Sequence, residues 1–510
     1  MTVKVVAHES LNRRARARLA LTVTPRPTTH VPSQCPSGGM SSAKRLQHLQ
    51  TFSVPRHATI EELSDKVLLS IFCYFLDASP RYFPTLMHIC RKWRRIVSVS
   101  QRALQLRLFC TPGTPVLKTL DCWSTLPIVV QYGGSPALDS PAPEDEDNIM
   151  AALKRSDRVT SIGLTVTRPL LKKLSTIESP FLELEDLVLL SQDSVSLTLP
   201  NNFRCGPRLR RLHSTRIAFP SFLQLLLSSR NLVDLQLHEV LNPWHFLPEE
   251  LTNALSGMVQ LRSLSLHFLS TPGYRVPLPP PGEFVVLPAL TRFNFRGNSQ
   301  YSEGLVARID APRLGDIEAT FVHEIIFELT ALRAFINRME IHKSYRRVDI
   351  LSSEHEISIA LTQPGTPTCL RFRLLCNELS YQLLSMARIC THFSAFLLNV
   401  EDLRISTKRP SRCTDRTAQW RESISPFTGV KWLHVSGNLS KNLVCALQQP
   451  DKRHGTLLPA LHTLHIREPG QSYSPLRRAV VSLMESRRLS GHPLEVKYEH
   501  LHVHEPGKVP

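Results

Sequence analysis

The sequence predicts an α/β chain in two parts: a small α-helical module, then a long, curved and irregular repeat solenoid built on a parallel sheet. Three observations carry this expectation. Apolar residues recur at helical spacing over about residues 64–76 and 85–97. Units of the form Leu-x-x-Leu-x-Leu then recur down the remainder of the chain. Finally, 42% of the 510 residues are hydrophobic and 20% charged, enough apolar material for a core and too much for wholesale disorder.

Residues 1–56 are expected to be a disordered basic tail. The first fifty hold eight Lys or Arg and one acid, Glu9, while Pro25, Pro27, Pro32 and Pro36 would break the amphipathic helix of a mitochondrial presequence. Leu19 to Val23 is too short for the apolar region of a signal peptide. The helical module is placed at 57–100. Ser64 can cap its first helix, Asp65 suits the first turn, and Leu68, Ile71, Phe72, Phe75 and Leu76 form one apolar face. Asp77, Ser79, Pro80 and Pro84 interrupt, after which Leu86, Ile89, Cys90, Trp93 and Val97 line a second helix whose other face carries Arg91, Lys92, Arg94 and Arg95. Helices this short do not bury a core unaided, so part of their apolar surface must pack on something else. Ser135 to Asp147, with three prolines and the acids Glu144 to Asp147, reads as a surface loop.

The solenoid is placed at 115–500, followed by a 501–510 tail. Its units are Val159/Ile162/Leu164, Leu184/Leu187/Leu189, Leu232/Leu235/Leu237, Leu261/Leu264/Leu266 and Leu290/Phe293/Phe295, with Leu209/Leu212 a partial copy, then Val400/Leu403/Ile405, Val430/Leu433/Val435 and Leu461/Leu464/Ile466. Each offers a short strand with alternate side chains on one face, which is buried only when neighbours stack and intervening helices such as 219–227 and 248–255 cover it. Successive units start 25, 25, 23, 29 and 29 residues apart, then 30 and 31. These steps resemble leucine-rich repeats of about 20–29 residues, in degenerate form, because the Asn or Cys that usually follows the motif is mostly missing. Between about 316 and 375 the pattern fades; Phe321, Ile325, Ile326 and Leu329 suggest a helix, and Leu370, Phe372 and Leu374 a strand.

Leu63-Ser64-Asp65-Lys66-Val67-Leu68-Leu69-Ser70-Ile71-Phe72, Tyr74-Phe75-Leu76 and then Ile89-Cys90-Arg91-Lys92-Trp93 resemble an F-box. Ser64 stands where that family usually has Pro, and Lys66 where it has Glu. Leu305 to Pro312 (Leu-Val-Ala-Arg-Ile-Asp-Ala-Pro) resembles a segment of fungal F-box proteins. The resemblance implies a substrate receptor of a Skp1-cullin-F-box ubiquitin ligase. Its F-box would bind a Skp1-type adaptor, and through it a cullin, while the repeats hold a protein substrate and other subunits carry out ubiquitin transfer. Carried over by position, Leu63, Ser64, Leu68, Ile71, Phe72, Ile89 and Trp93 are the Skp1-binding or F-box core residues. The alternative is an adaptor-independent repeat scaffold, or a polyanion-binding protein whose F-box has drifted.

No phosphate-binding glycine loop or hydrolase elbow occurs, and the expectation is a non-catalytic chain without cofactor or metal. His323-Glu324 begins like a zinc-protease helix, but Phe327 stands where the second His is needed. His500, His502 and His504 alternate, and His462 and His465 flank Leu464; both groups read as solvent-facing or satisfied. The eleven cysteines show no C-x-x-C spacing and read as reduced thiols. Net charge is +18, with Arg204, Arg208, Arg210, Arg211 and Arg216 near one repeat and Lys343, Arg346 and Arg347 near another. Aromatics are sparse and no nucleic-acid-reading motif accompanies the charge, which disfavours nucleic acid and leaves an acidic protein open. No apolar run reaches the roughly 18 residues that span a bilayer, and the expected compartment is cytosol or nucleus rather than the secretory route.

Overall fold

The repeat leucines do form adjacent strands. The computed structural model describes residues 62–112, 116–132, 143–193, 197–218, 222–240, 247–269, 284–322, 328–339, 345–366, 368–407, 417–436, 440–448, 456–468 and 474–500. The expected 1–56 and 501–510 tails, His323 to Phe327 and Lys343 lie outside these. Asp65–Pro510 forms one packed unit; of the other, Met1–Ser64, residues 62–64 are described.

Three helices open the larger unit: α1 (Asp65–Ala78), α2 (Phe83–Ile89) and α3 (Arg91–Val99). The single helix expected at 85–97 is therefore two. Cys90 divides them, with φ −155° and ψ 170°, extended backbone that ends α2 and starts α3, its carbonyl accepting from Arg94 N–H at 3.1 Å. The acids expected in a loop instead begin the helix Pro143–Leu153, where proline and carboxylates suit a helix N-terminus.

The described residues contain one sixteen-stranded sheet. It begins at Leu108, ahead of the expected 115. Its strands are β1 (Leu108–Cys110), β2 (Ile128–Tyr132), β3 (Val159–Thr165), β4 (Asp186–Leu190), β5 (Arg211–Thr215), β6 (Asp234–Val240), β7 (Ser263–Phe268) and β8 (Arg292–Gly297). They continue with β9 (Asp316–Val322), β10 (Arg347–Ser352), β11 (Glu356–Thr362), β12 (Cys369–Leu375), β13 (Asp402–Thr407), β14 (Trp432–Ser436), β15 (Thr463–Glu468) and β16 (Glu495–His500). Parallel register stacks equivalent repeat positions, so that Leu187, Leu212, Leu235, Leu264, Phe293 and Ile317 form one continuous row. Every member of that row is buried. In the partial copy, Ser214 occupies the next row's leucine position and satisfies its hydroxyl on Ile217 O at 3.1 Å, as a buried polar group must.

The sheet is not parallel throughout. Spatial order runs β1 to β9, then β12, β11, β10, then β13 to β16, and β11 pairs antiparallel with both neighbours. Phe321, expected on a helix, lies in β9; the helix there is Thr330–Asn337. The apolar row crosses the inversion unbroken, through Ile317, Leu370, Leu361, Val348 and Leu403. This is possible because alternation has period two in either strand direction. The β11–β12 turn places Gly365 after Pro364 at φ 82°, with Thr366 N–H donating to Gln363 O at 3.3 Å, the dihedral that glycine adopts at the third position of a type II turn.

Helices on the apolar side supply the matching layer. Leu251 and Leu255, Leu332 and Phe335, and Trp420 and Ile424 are buried from three of them, Pro248–Leu255, Thr330–Asn337 and Thr417–Ile424. Glu303, itself buried, ties one helix to the next by accepting from Ala331 N–H at 2.6 Å and Leu332 N–H at 2.8 Å, two of the orphan donors of a helix start.

Candidate interaction surfaces

The seven residues singled out in the helical module divide by burial. Leu68, Phe72 and Trp93 are core: Trp93 is 4% exposed, and its ring centroid lies 4.6 Å from that of Phe72. Ile71 and Leu63 are half-buried, Ser64 is exposed, and Ile89 is 47% exposed. Sequence periodicity alone does not separate these groups. Exposed Tyr74, Tyr82 and Val99, none of them among those seven, add to the module's apolar surface, and Leu69, Ile96 and Val99 line a cavity of about 220 Å³ beside Asp65, Lys66 and Arg95.

Three of the four basic residues of α3 reach the other two helices, Arg94 by donating to Met87 O of α2 at 3.0 Å. Asp65, in the first turn of α1, pairs with Arg95 at 3.0 Å and Lys92 at 3.7 Å. The module also packs onto the first repeats: the Phe83 and Trp123 rings meet edge to face at 5.6 Å, and Arg81 donates to Gln131 Oε1 at 2.8 Å. Part of the apolar surface expected to need a partner thus finds it within the chain.

The second surface is the polar face of the sheet. Alternation sends its leucines beneath the helices and its polar residues to the opposite side, where charges on adjacent strands alternate in sign. Arg211 donates to both oxygens of Asp186, each at 2.5 Å, Arg347 pairs with Asp402 at 2.9 Å, and Arg373 bridges Glu356 at 2.6 Å and Glu318 at 3.4 Å. Arg208 pairs with Glu183 and Arg216 with Glu239. The arginine cluster that suggested a polyanion site is therefore largely matched by acids of the neighbouring repeats. Histidines fill another part of this face. His238 stacks on His267 at 4.1 Å and meets His213 edge to face at 5.0 Å. Burial, reinforced by the two neighbouring imidazoles, pushes the His238 pKa down to about 4, and burial lowers those of His213 and His267. His465 likewise stacks on His434, at 4.3 Å.

A third feature lies where β10, β13 and β14 begin. Tyr345, Arg346, Leu398, Asn399, Glu401, Gly429 and Lys431 line an open, solvent-facing cavity of about 420 Å³. Gly429 permits its narrow wall, since a Cβ there would stand 2.2 Å from the Leu398 carbonyl oxygen. Among the described residues, no group of three or more His, Cys, Asp or Glu is placed to hold a metal ion, and no helix is long and apolar enough to cross a membrane. None of the nine described cysteines is in a disulfide; burial pushes the Cys110, Cys205 and Cys390 thiols up to about 12, which keeps them protonated and poorly nucleophilic.

No protein-family model matches the chain, and no curated protein does. Among solved structures, it is similar to the crystal structure of the TLR13–ssRNA13 complex at 11% identity, with a TM-score of 0.30, over 74% of this chain and 47% of that one. The chain thus spans about half the length of the TLR13 chain.

Proposed function

We propose that the chain is an F-box-type substrate receptor, whose α1–α3 module docks on a Skp1-type adaptor, and through it a cullin, while its repeats hold a protein substrate. Its part is recruitment: holding two proteins together raises their effective concentration, and the transfer chemistry belongs to other subunits. The observation that supports this best is the division within the module. Leu68, Phe72 and Trp93 consolidate three short helices, while Ile89 and Val99 remain exposed, leaving apolar surface that the module's own core does not use. Lys66, where the resembled family carries Glu, is also exposed.

The test is co-purification of the full chain with a Skp1-type adaptor, comparing wild type with Ile89→Asp and Val99→Asp. Both positions are exposed, so the variants are expected to fold, which circular dichroism checks. Trp93→Ala is unsuitable, because removing a buried aromatic costs about 3–5 kcal/mol and would confuse unfolding with lost contact. Retention of wild type and loss of either folded variant supports the proposal; failure of wild type to bind overturns it. The polyanion-binding alternative has less support, since Arg208, Arg211 and Arg216 are already paired; it would require binding that weakens steeply with salt.

A further inference from the structure

We infer that the cavity at the start of β10, β13 and β14 receives a single carboxylate side chain from an acidic segment of the captured protein, an inference that rests on reading the repeats as the protein-binding part. Charge comes first. Lys431 pairs with Glu401 at 2.9 Å, and that contact holds the Glu401 carboxyl below its ordinary range. Arg346, which is exposed, also acts on the Glu401 carboxylate through space, so the lining sets two cations, Arg346 and Lys431, against one carboxylate. The lining therefore carries a net charge of one positive, which matches a carboxylate; a phosphate dianion would meet one excess cation and the Glu401 carboxylate.

Shape and donors agree with this. Arg346 presents a planar fork suited to a carboxylate, and Asn399, exposed beside it, offers an amide donor. Leu398 is 51% exposed on the rim, an apolar contact for the stem of an acidic side chain or its neighbour. At about 420 Å³ the cavity is large enough for one side chain with adjoining backbone. It opens at the edge of the sheet where β10, β13 and β14 begin, a place where a segment of the captured protein could insert one side chain.

The experiment is fluorescence anisotropy of a labelled, amidated peptide, Leu-Glu-Leu flanked by serines, with the full chain. Its counterparts carry Gln or phosphoserine in place of Glu. The Glu peptide should bind at least tenfold more tightly than the Gln peptide and more tightly than the phosphoserine peptide. Arg346→Ala should lose that preference, with its thermal midpoint and adaptor binding unchanged. Glu401→Gln, which leaves Lys431 uncompensated, should bind both anionic peptides more tightly and narrow the gap between them. Equal binding of Glu and Gln peptides, or an Arg346→Ala chain that binds like wild type, would overturn the inference; tighter wild-type binding of phosphoserine would overturn the single-carboxylate assignment. Because adaptor binding is read separately, loss of this site is distinguishable from failure of the receptor proposal.

Discussion

The stretch from β3 to β9 and the segment from β10 to β12, whose spatial order is inverted and whose middle strand β11 alone runs against the rest, solve the same packing problem. In the first, each repeat adds one strand and a covering segment, and apolar side chains stack in one row from Leu187 through Phe293 to Ile317. In the second, the chain leaves β9, lays down β10 at a distance, and returns through β11 and β12 to fill the gap. Both bury the same row of side chains. The comparison teaches that the alternating apolar face fixes which residues are covered, while turn chemistry fixes the direction in which the strand is read.

The largest effects should come from that shared row. Phe372→Ala, in the inverted segment where Phe372 packs on Phe393 at 4.8 Å, is expected to cost about 3–5 kcal/mol, and Leu264→Ala, in the parallel stack, about 2–5 kcal/mol. Comparable losses by chemical denaturation would support an equally tight core in both regions; a near-neutral Phe372→Ala would show the inverted segment to be loosely packed. Turn chemistry should separate the two regions. Gly365→Ala forces a Cβ onto a residue at φ 82° and should cost about 1–2 kcal/mol, whereas at Gly163 of β3 a Cβ meets nothing closer than 3.8 Å, so Gly163→Ala should be neutral or stabilise by about 0.4–1 kcal/mol.

A pH titration sharpens the contrast next. His238 belongs to the parallel stack, and its folded-state pKa, about 4, is below its ordinary value of 6.5. Because the unfolded chain takes up the proton first, the neutral imidazole's contribution is fully present above pH 6.5 and is lost as pH falls toward 4. His238→Gln should flatten the stability profile in that window; an unchanged profile would mean that the imidazole stack does not set it. The smallest effect belongs to the ion pairs of the inverted segment. Arg373 is 39% exposed beside Glu356 and Glu318, so Arg373→Met should cost no more than about 1 kcal/mol, and less in high salt.

What could be read from the sequence follows from these physical differences. The units from Val159 to Phe295 and from Val400 to Ile466 were legible because every repeat restates its spacing, and each falls on or immediately before a strand in register with the next. The inverted segment was only partly legible, since Leu370, Phe372 and Leu374 marked β12 while β10 and β11 depart from the Leu-x-x-Leu-x-Leu unit. Their signal was nonetheless present: Ile357, Ile359 and Leu361 alternate strictly, and Pro364-Gly365 marks the turn. Tyr345/Val348/Ile350 and Leu314/Ile317/Ala319 repeat the unit's spacing with weaker residues. In the helical module, periodicity located the apolar stripes but not the break at Cys90, where the residue type alone does not announce an extended backbone. Nor did it separate Trp93 from Ile89, because a stripe records spacing and not what lies opposite. The cavity around Arg346 was illegible for a related reason: its lining comes from residues more than eighty positions apart, brought together by the crossover that skips the inverted strands.

The central claim concerns the module at the head of this sheet, and isothermal titration calorimetry of the full chain with a purified Skp1-type adaptor tests it most directly. The account predicts one-to-one binding with a Kd at or below the micromolar range, weakened at least tenfold by Ile89→Asp and unchanged by Arg346→Ala. Absence of binding by a folded wild-type chain, or binding that Ile89→Asp and Val99→Asp both leave intact, would contradict it.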